Sequence, residues 1–192
     1  MGGSWERLIG IARRIIDSIL YDARHKRLSH EVLCTFMAET TAIMNSRPLV
    51  PISSDCDSPC VLSPNALLTT KTNDCVDDFS NLNTRDVYTS QWKFVQVLAE
   101  QFWSRWRREY LQTLQSRRKW RQTQENIQEG DLVILKDGDQ HRNIWPLGLI
   151  EHVFPSDDNL VRKVLVRTII DGQPRVYVRP ITQTVLLCHN EL

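Results

Sequence analysis

The sequence has no run of about 18 apolar residues, so no membrane-spanning helix and no membrane partner is expected. It has no Asn-x-Ser/Thr acceptor for glycosylation. It has no Cys-x₂-Cys pair to accompany His25 and His30, so a structural zinc site is not expected. The cysteines (34, 56, 60, 75 and 188) are odd in number and irregular in spacing, which fits reduced thiols in a cytosolic or nuclear protein. The seven glycines include no phosphate-cradling loop, and no small-molecule substrate is expected. The opening residues, Met1 to Glu6, lack a signal-peptide core, and Glu6 stands where a myristoylation signal wants Ser or Thr. Nor is there an overall excess of one charge: 24 basic side chains face 23 acidic ones, for a net charge of +1.

The charge is nevertheless sorted along the chain. Residues 1–49 sum to +2, 50–91 to −4, 92–121 to +6 and 122–192 to −3. From Trp92 to Arg121, eight residues are basic and only Glu100 and Glu109 are acidic. Seven aromatic side chains are interleaved there: Trp92, Phe94, Phe102, Trp103, Trp106, Tyr110 and Trp120. A basic, aromatic-rich segment in a near-neutral chain points first to a nucleic-acid backbone as partner.

Periodicity divides the chain into four regions, 1–49, 50–85, 86–124 and 125–192. In the first, Trp5, Leu8, Ile9, Ala12, Ile15, Ile16, Ile19 and Leu20 recur at helical spacing and predict an amphipathic helix over 4–22. Ser29 is placed to cap a second helix, with Glu31 near its positive end. That helix must stop near Arg47, because Pro48 disfavours helical geometry in the residue before it. Residues 50–85 read as an acidic, irregular connector with room for one short helix after Pro64. The helical period then resumes over 86–124, with Trp92, Val95, Ala99, Phe102, Trp103, Trp106, Tyr110 and Leu114 in one stripe.

Beyond Gly130-Asp131 the period changes to two. β-rich runs at 132–135, 147–154, 161–170 and 175–178 alternate with turn signals, including Asp171-Gly172. Four or five strands in about sixty residues predict a small closed barrel of the SH3-like kind.

Several segments then resemble a known family. Gly2-Gly3-Ser4-Trp5-Glu6-Arg7-Leu8-Ile9 resembles the start of the last core helix in integrases of Pao/BEL-type LTR retrotransposons. Ala42-Ile43-Met44-Asn45-Ser46-Arg47-Pro48-Leu49 and the stretch from Gln101 to Leu111 are similar to two further segments of that family. Gly130-Asp131-Leu132-Val133 and Trp145-Pro146-Leu147-Gly148 resemble its C-terminal barrel. The resemblance implies an α+β fold: a helical remnant of an RNase H-like core, a long connecting helix and an SH3-like barrel. It implies DNA as the partner, a nuclear location (or a cytoplasmic one before import), and either self-association or an integrase-type partner chain.

In the resemblance Glu6 takes the place of the third acid of a metal-binding Asp, Asp, Glu triad. The two aspartates lie in the family on a sheet ahead of this helix, which is not in this sequence. Two-metal chemistry needs several converging carboxylates. Activity from this chain alone is therefore not expected, and a divalent metal such as Mg enters only with acids from another chain. Glu6 otherwise serves as a helix-dipole partner.

The resemblance implies that Arg13 and Arg14 on the first helix face the nucleic acid, where pattern alone gives a solvated helix face; the further candidates are Arg105, Arg108, Arg117, Arg118, Lys119 and Arg121, on or after the long helix. Lys136, Arg142, Lys163, Arg167, Arg175 and Arg179 are the candidates in the barrel. Alternation puts Arg175, Tyr177 and Arg179 on one face of a strand and Val176 and Val178 on the other. The tryptophans are expected to pack, except Trp120, which lies among the basic residues.

The rival reading is a protein-interaction module whose barrel takes a peptide or modified lysine in an aromatic pocket; Trp145, Phe154 and Tyr177 are the barrel's only aromatics, and the sequence does not fix whether they meet. In addition, helices whose usual sheet is absent are expected to self-associate or to expose an apolar patch along Ile9, Ile16 and Ile19.

Overall fold

A computed structural model describes residues 3–24, 28–51, 61–69, 86–115, 126–136, 141–170 and 172–189. The chain is α+β and forms two compact units. One comprises Met1–Ser46 with Asn65–Gln112, the other Arg47–Pro64 with Thr113–Leu192.

The first unit holds α1 (Ser4–Asp22), α2 (His30–Asn45), the short α3 (Pro64–Thr69) and nearly all of α4 (Asp86–Leu114). In α1 the helical period is satisfied by burying Ile11, Ala12, Ile15 and Ile19. Ile19 is fully buried and Ile16 half-buried, so of the expected patch only Ile9 is substantially exposed. Trp5 and Tyr21, at the two ends of α1, are also exposed. In α2 the Ser29 hydroxyl accepts from the Val32 N–H at 3.3 Å, as the cap requires, and the helix ends at Asn45, three residues before Pro48. Its buried face is Val32, Phe36, Thr40 and Ile43, and the Thr40 hydroxyl donates to the Phe36 carbonyl at 2.9 Å.

Along α4 the predicted stripe is buried from Val95 to Tyr110. Phe102, Trp106 and Tyr110, four residues apart, stack as a ladder with ring centroids 5.9 and 6.0 Å apart. Ion pairs join α4 to α1. Arg14 meets Glu109 at 3.1 Å, while Arg105 donates to the Ser18 hydroxyl at 2.8 Å and approaches Asp22 at 3.7 Å. Rising numbers on α1 thus meet falling numbers on α4, so the two helices run antiparallel.

The second unit is built on a five-stranded antiparallel sheet. The strands are β3 (Leu132–Leu135), β4 (Leu147–Pro155), β5 (Val161–Ile170), β6 (Gln173–Pro180) and β7 (Thr184–Cys188), with a 3₁₀ turn (Ile181–Gln183) before β7. The first four form a meander, and β7 returns to the free side of β3. The β5–β6 connection is the two-residue hairpin that Asp171-Gly172 predicts, with Gly172 at a positive φ of 72°. Strand β7 is an addition to the sequence reading, because its Thr-Val-Leu-Leu run carries neither alternation nor a flanking glycine.

Residues directly opposite one another across a sheet share a face. On the inner face, Val133, Leu135, Ile150, Val164 and Val166 form the core with Ile127 and Val161. Gly148 also lies here. A Cβ on it would sit 2.3 Å from a methyl of Val166, so only glycine permits this approach. The outer face is covered at one end only. Leu132, Ile134 and Val185 are buried there, and the two-stranded pair of β1 (Val50–Pro51) and β2 (Val61–Leu62) belongs to the same unit and touches β7. At the other end Phe154, Ile169, Val176 and Val178 are exposed. The connector thus contributes β1 and β2, which were not expected, and α3, the short helix expected after Pro64.

Asp131 fixes the entry to the sheet. Its carboxylate is buried and accepts from the Gln128 N–H at 2.9 Å, with the His189 ring 3.4 Å away. Its carbonyl accepts from Ile150, and Gly130 donates back to Ile150 at a φ of 88° that glycine tolerates.

Candidate nucleic-acid interface

Strand β6 has no buried residue. Its register sets Arg175 opposite Thr168, Tyr177 opposite Val166 and Arg179 opposite Val164. The cationic strip therefore shares a face with core residues yet lies at the rim, where the core ends. Arg175 is exposed, and Tyr177 and Arg179 are half-buried. The Arg179 guanidinium lies over the Tyr177 ring, 5.4 Å from its centroid. Two guanidinium groups flanking an aromatic ring offer fork donors for phosphate oxygens and a flat surface for a base or sugar. Val176 and Val178 point to the opposite, solvated side, the reverse of the usual apolar-in pattern.

The other barrel cations are dispersed. Lys136 donates to the Thr182 carbonyl at 2.9 Å and so holds the 3₁₀ turn to the end of β3. Arg142 is half-buried in the turn before the buried Trp145. Lys163 is exposed, and Arg167 lies 3.2 Å from Glu151. Sequence reasoning did not single out Arg162, which pairs with Asp158 in the β4–β5 turn and holds that carboxyl below the usual carboxylate range. The two residues are four apart, but only the turn geometry brings them together.

In the helical unit Arg13 and Arg108 are exposed, with no ion-pair partner among the described residues. Arg14 and Arg105 already meet Glu109, Ser18 and Asp22, although Arg14 keeps most of its surface in water. Arg117, Arg118, Lys119, Trp120 and Arg121 lie outside the described residues.

Glu6 is exposed near the start of α1. Asp17 and Asp22 follow at roughly 16 and 24 Å along the helix, by the rise per residue, and Asp22 is engaged by Arg105. These carboxylates do not converge, so the residues present do not fit a two-metal centre. Among the described residues no group of three or more His, Cys, Asp or Glu side chains could hold a metal ion, and no helix is long and apolar enough to cross a membrane. On α2 the Cys34 thiol lies 3.5 Å from His30 Nε2, both side chains being exposed.

The aromatic pocket of the rival reading does not form from the three residues named for it. Phe154, opposite Lys163, is on the outer face, whereas Tyr177 is on the inner one and Trp145 is buried.

DUF5641, described as a family of unknown function, matches residues 90–187, which is 98 of the 192 residues and spans most of α4 and the sheet. No curated protein and no solved structure matches the chain.

Proposed function

We propose, for a chain that belongs to DUF5641, a family of unknown function, that it binds DNA as the distal part of an integrase-like protein of the Pao/BEL type. The observation that carries this reading is the Arg175–Tyr177–Arg179 strip on an edge strand with no buried residue. The basic segment from Arg117 to Arg121 supports it from the sequence side. An SH3-like barrel is the finer reading of the sheet. A four-strand meander whose fifth strand pairs with the first, after a 3₁₀ turn, supports that assignment. This reading gives Glu6 no role in DNA contact, and among the described residues no group of acids converges on it.

The test is a titration of a short labelled DNA duplex with the intact chain at about 50 and 200 mM salt, where a six-contact interface loses on the order of 10³ in affinity. Arg175→Ala/Arg179→Ala and Arg117→Ala/Arg118→Ala/Arg121→Ala are each expected to weaken binding and to flatten the salt slope by about 0.9 per contact removed. Unchanged affinity and slope in both variants overturn the proposal.

A further inference from the structure

The face of α2 turned away from its buried residues carries three soft metal ligands in a row. We propose that His30, Cys34 and Met37 bind one copper(I) ion. At about 100° per residue, the three fall within about 60° of the helix circumference. All three are exposed, Met37 at 42%. The buried residues Val32, Phe36, Thr40 and Ile43 lie on the other side. Ligation therefore needs no change in the packing of the helical unit.

The separation of the first two side chains suits a shared ion. Cys34 Sγ stands 3.5 Å from His30 Nε2 and 4.0 Å from Nδ1. Take bonds of about 2.0 Å to imidazole nitrogen and 2.3 Å to thiolate sulfur, the zinc values. Two ligands then stand about 3.5–3.7 Å apart at tetrahedral to trigonal angles. Nε2 and Sγ are already at that distance. Without metal the same separation leaves only a weak thiol hydrogen bond. Among the described residues the two side chains make no other hydrogen bond or ion pair. Met37, three residues on, is the next neighbour on this face. Its flexible chain and polarisable thioether let the sulfur swing to an ion held by the other two.

The donor set selects the metal. Thiolate and thioether together favour copper(I), and imidazole suits copper as well. Structural zinc takes four ligands from Cys, His, Asp and Glu, with no thioether among them. Among the described residues no third side chain of those types completes such a group, and Met37 is the ligand that does. Glu31 and Glu39, the acids of α2, are rotated about 90° and 170° from the middle of the trio. The oxygen ligands that calcium and magnesium need are thus not on this face. On binding, the Cys34 thiol releases its proton to solvent, and the thiolate neutralises the single charge of the ion. The site rests on α2 alone and is independent of the DNA reading.

The experiment titrates copper(I), supplied as its bicinchoninate complex without oxygen, with the intact chain carrying Cys56→Ser/Cys60→Ser/Cys75→Ser. Those substitutions remove the thiols that lie outside the described residues. One equivalent of copper is expected to transfer, with one nitrogen and two sulfur ligands by X-ray absorption. Cys34→Ser should abolish the transfer. His30→Gln and Met37→Leu should each weaken it at least about tenfold, the loss that even outer partners of a metal site cause. Zinc(II) should bind more weakly, and Met37→Leu should leave its affinity unchanged. Unchanged melting temperatures of the metal-free variants show that they fold. Transfer that survives Cys34→Ser, or that Met37→Leu leaves unaltered, overturns the proposal. So does zinc binding at equal or higher affinity.

Discussion

Strands β3 and β6 belong to one sheet and lie three strands apart, yet every residue of β3 is buried and none of β6 is. Strand β3 is Leu-Val-Ile-Leu, apolar toward both sides, and it is enclosed by the inner core and by cover on the outer face. Strand β6 alternates Arg, Val, Tyr, Val, Arg, with Tyr177 and Arg179 half-buried and the others exposed. Burial across this sheet is thus a gradient, with the enclosed core at one end and the proposed DNA contacts at the other. A residue enclosed on both faces contributes to the fold. A residue on an uncovered strand keeps surface in contact with water, where another molecule can reach it.

The largest expected effect tests that contrast directly. Ile134→Ala removes a fully buried side chain and should cost about 2–5 kcal/mol. Val178→Ala, at 56% exposure, should stay within about 0.5 kcal/mol. Denaturant midpoints of the two variants measure the difference, and equal shifts would erase the gradient.

A smaller effect sharpens the β3 end. Asp131→Ala leaves the Gln128 N–H without its acceptor beside a buried turn and should cost about 1–3 kcal/mol. Hydrogen exchange checks the mechanism, because the Gln128 and Ile150 amides should lose protection while those of β6 stay as they were. Uniform loss over the whole sheet would mean that Asp131 acts through global stability alone.

The sequence made much of this architecture readable, and the failures have one cause. The α4 stripe was legible because apolar residues repeat every three or four positions over 29 residues. The strands β3, β4 and β5 were legible because turn residues bound them. At β6, alternation separated Arg175, Tyr177 and Arg179 from Val176 and Val178, but which set faced the core depends on the register with β5 and on where the core stops. Likewise Arg14 and Arg105 look free along their own helices. Their engagement depends on α1 and α4 meeting antiparallel, a long-range fact with no local signal. Ile19 belongs to the same class: its periodicity announced an apolar face, and only the packing of the helical unit decided that the face was filled.

The smallest effect lies between the two ends, at the β4–β5 turn. Arg162 hydrogen-bonds both Asp158 oxygens, at 2.9 and 2.6 Å, and the Leu160 amide adds a donor at 3.2 Å. These interactions, the side-chain bond from Arg162 first, lower the Asp158 pKa from its ordinary 3.8. A carboxyl that is more acidic when folded stabilises the fold at pH values above its unfolded pKa, and that contribution is lost as pH falls through the lowered folded value. The window is therefore below pH 3.8, and near neutrality the turn should be insensitive to pH. Both side chains are exposed, so screening keeps the effect small. Thermal melts of the wild type and Asp158→Asn should differ slightly at neutral pH and converge as the buffer is acidified through that window. A gap that instead widens in acid would mean that the stabilisation belongs to the neutral carboxyl, and that the turn is held by its backbone bonds rather than by Arg162.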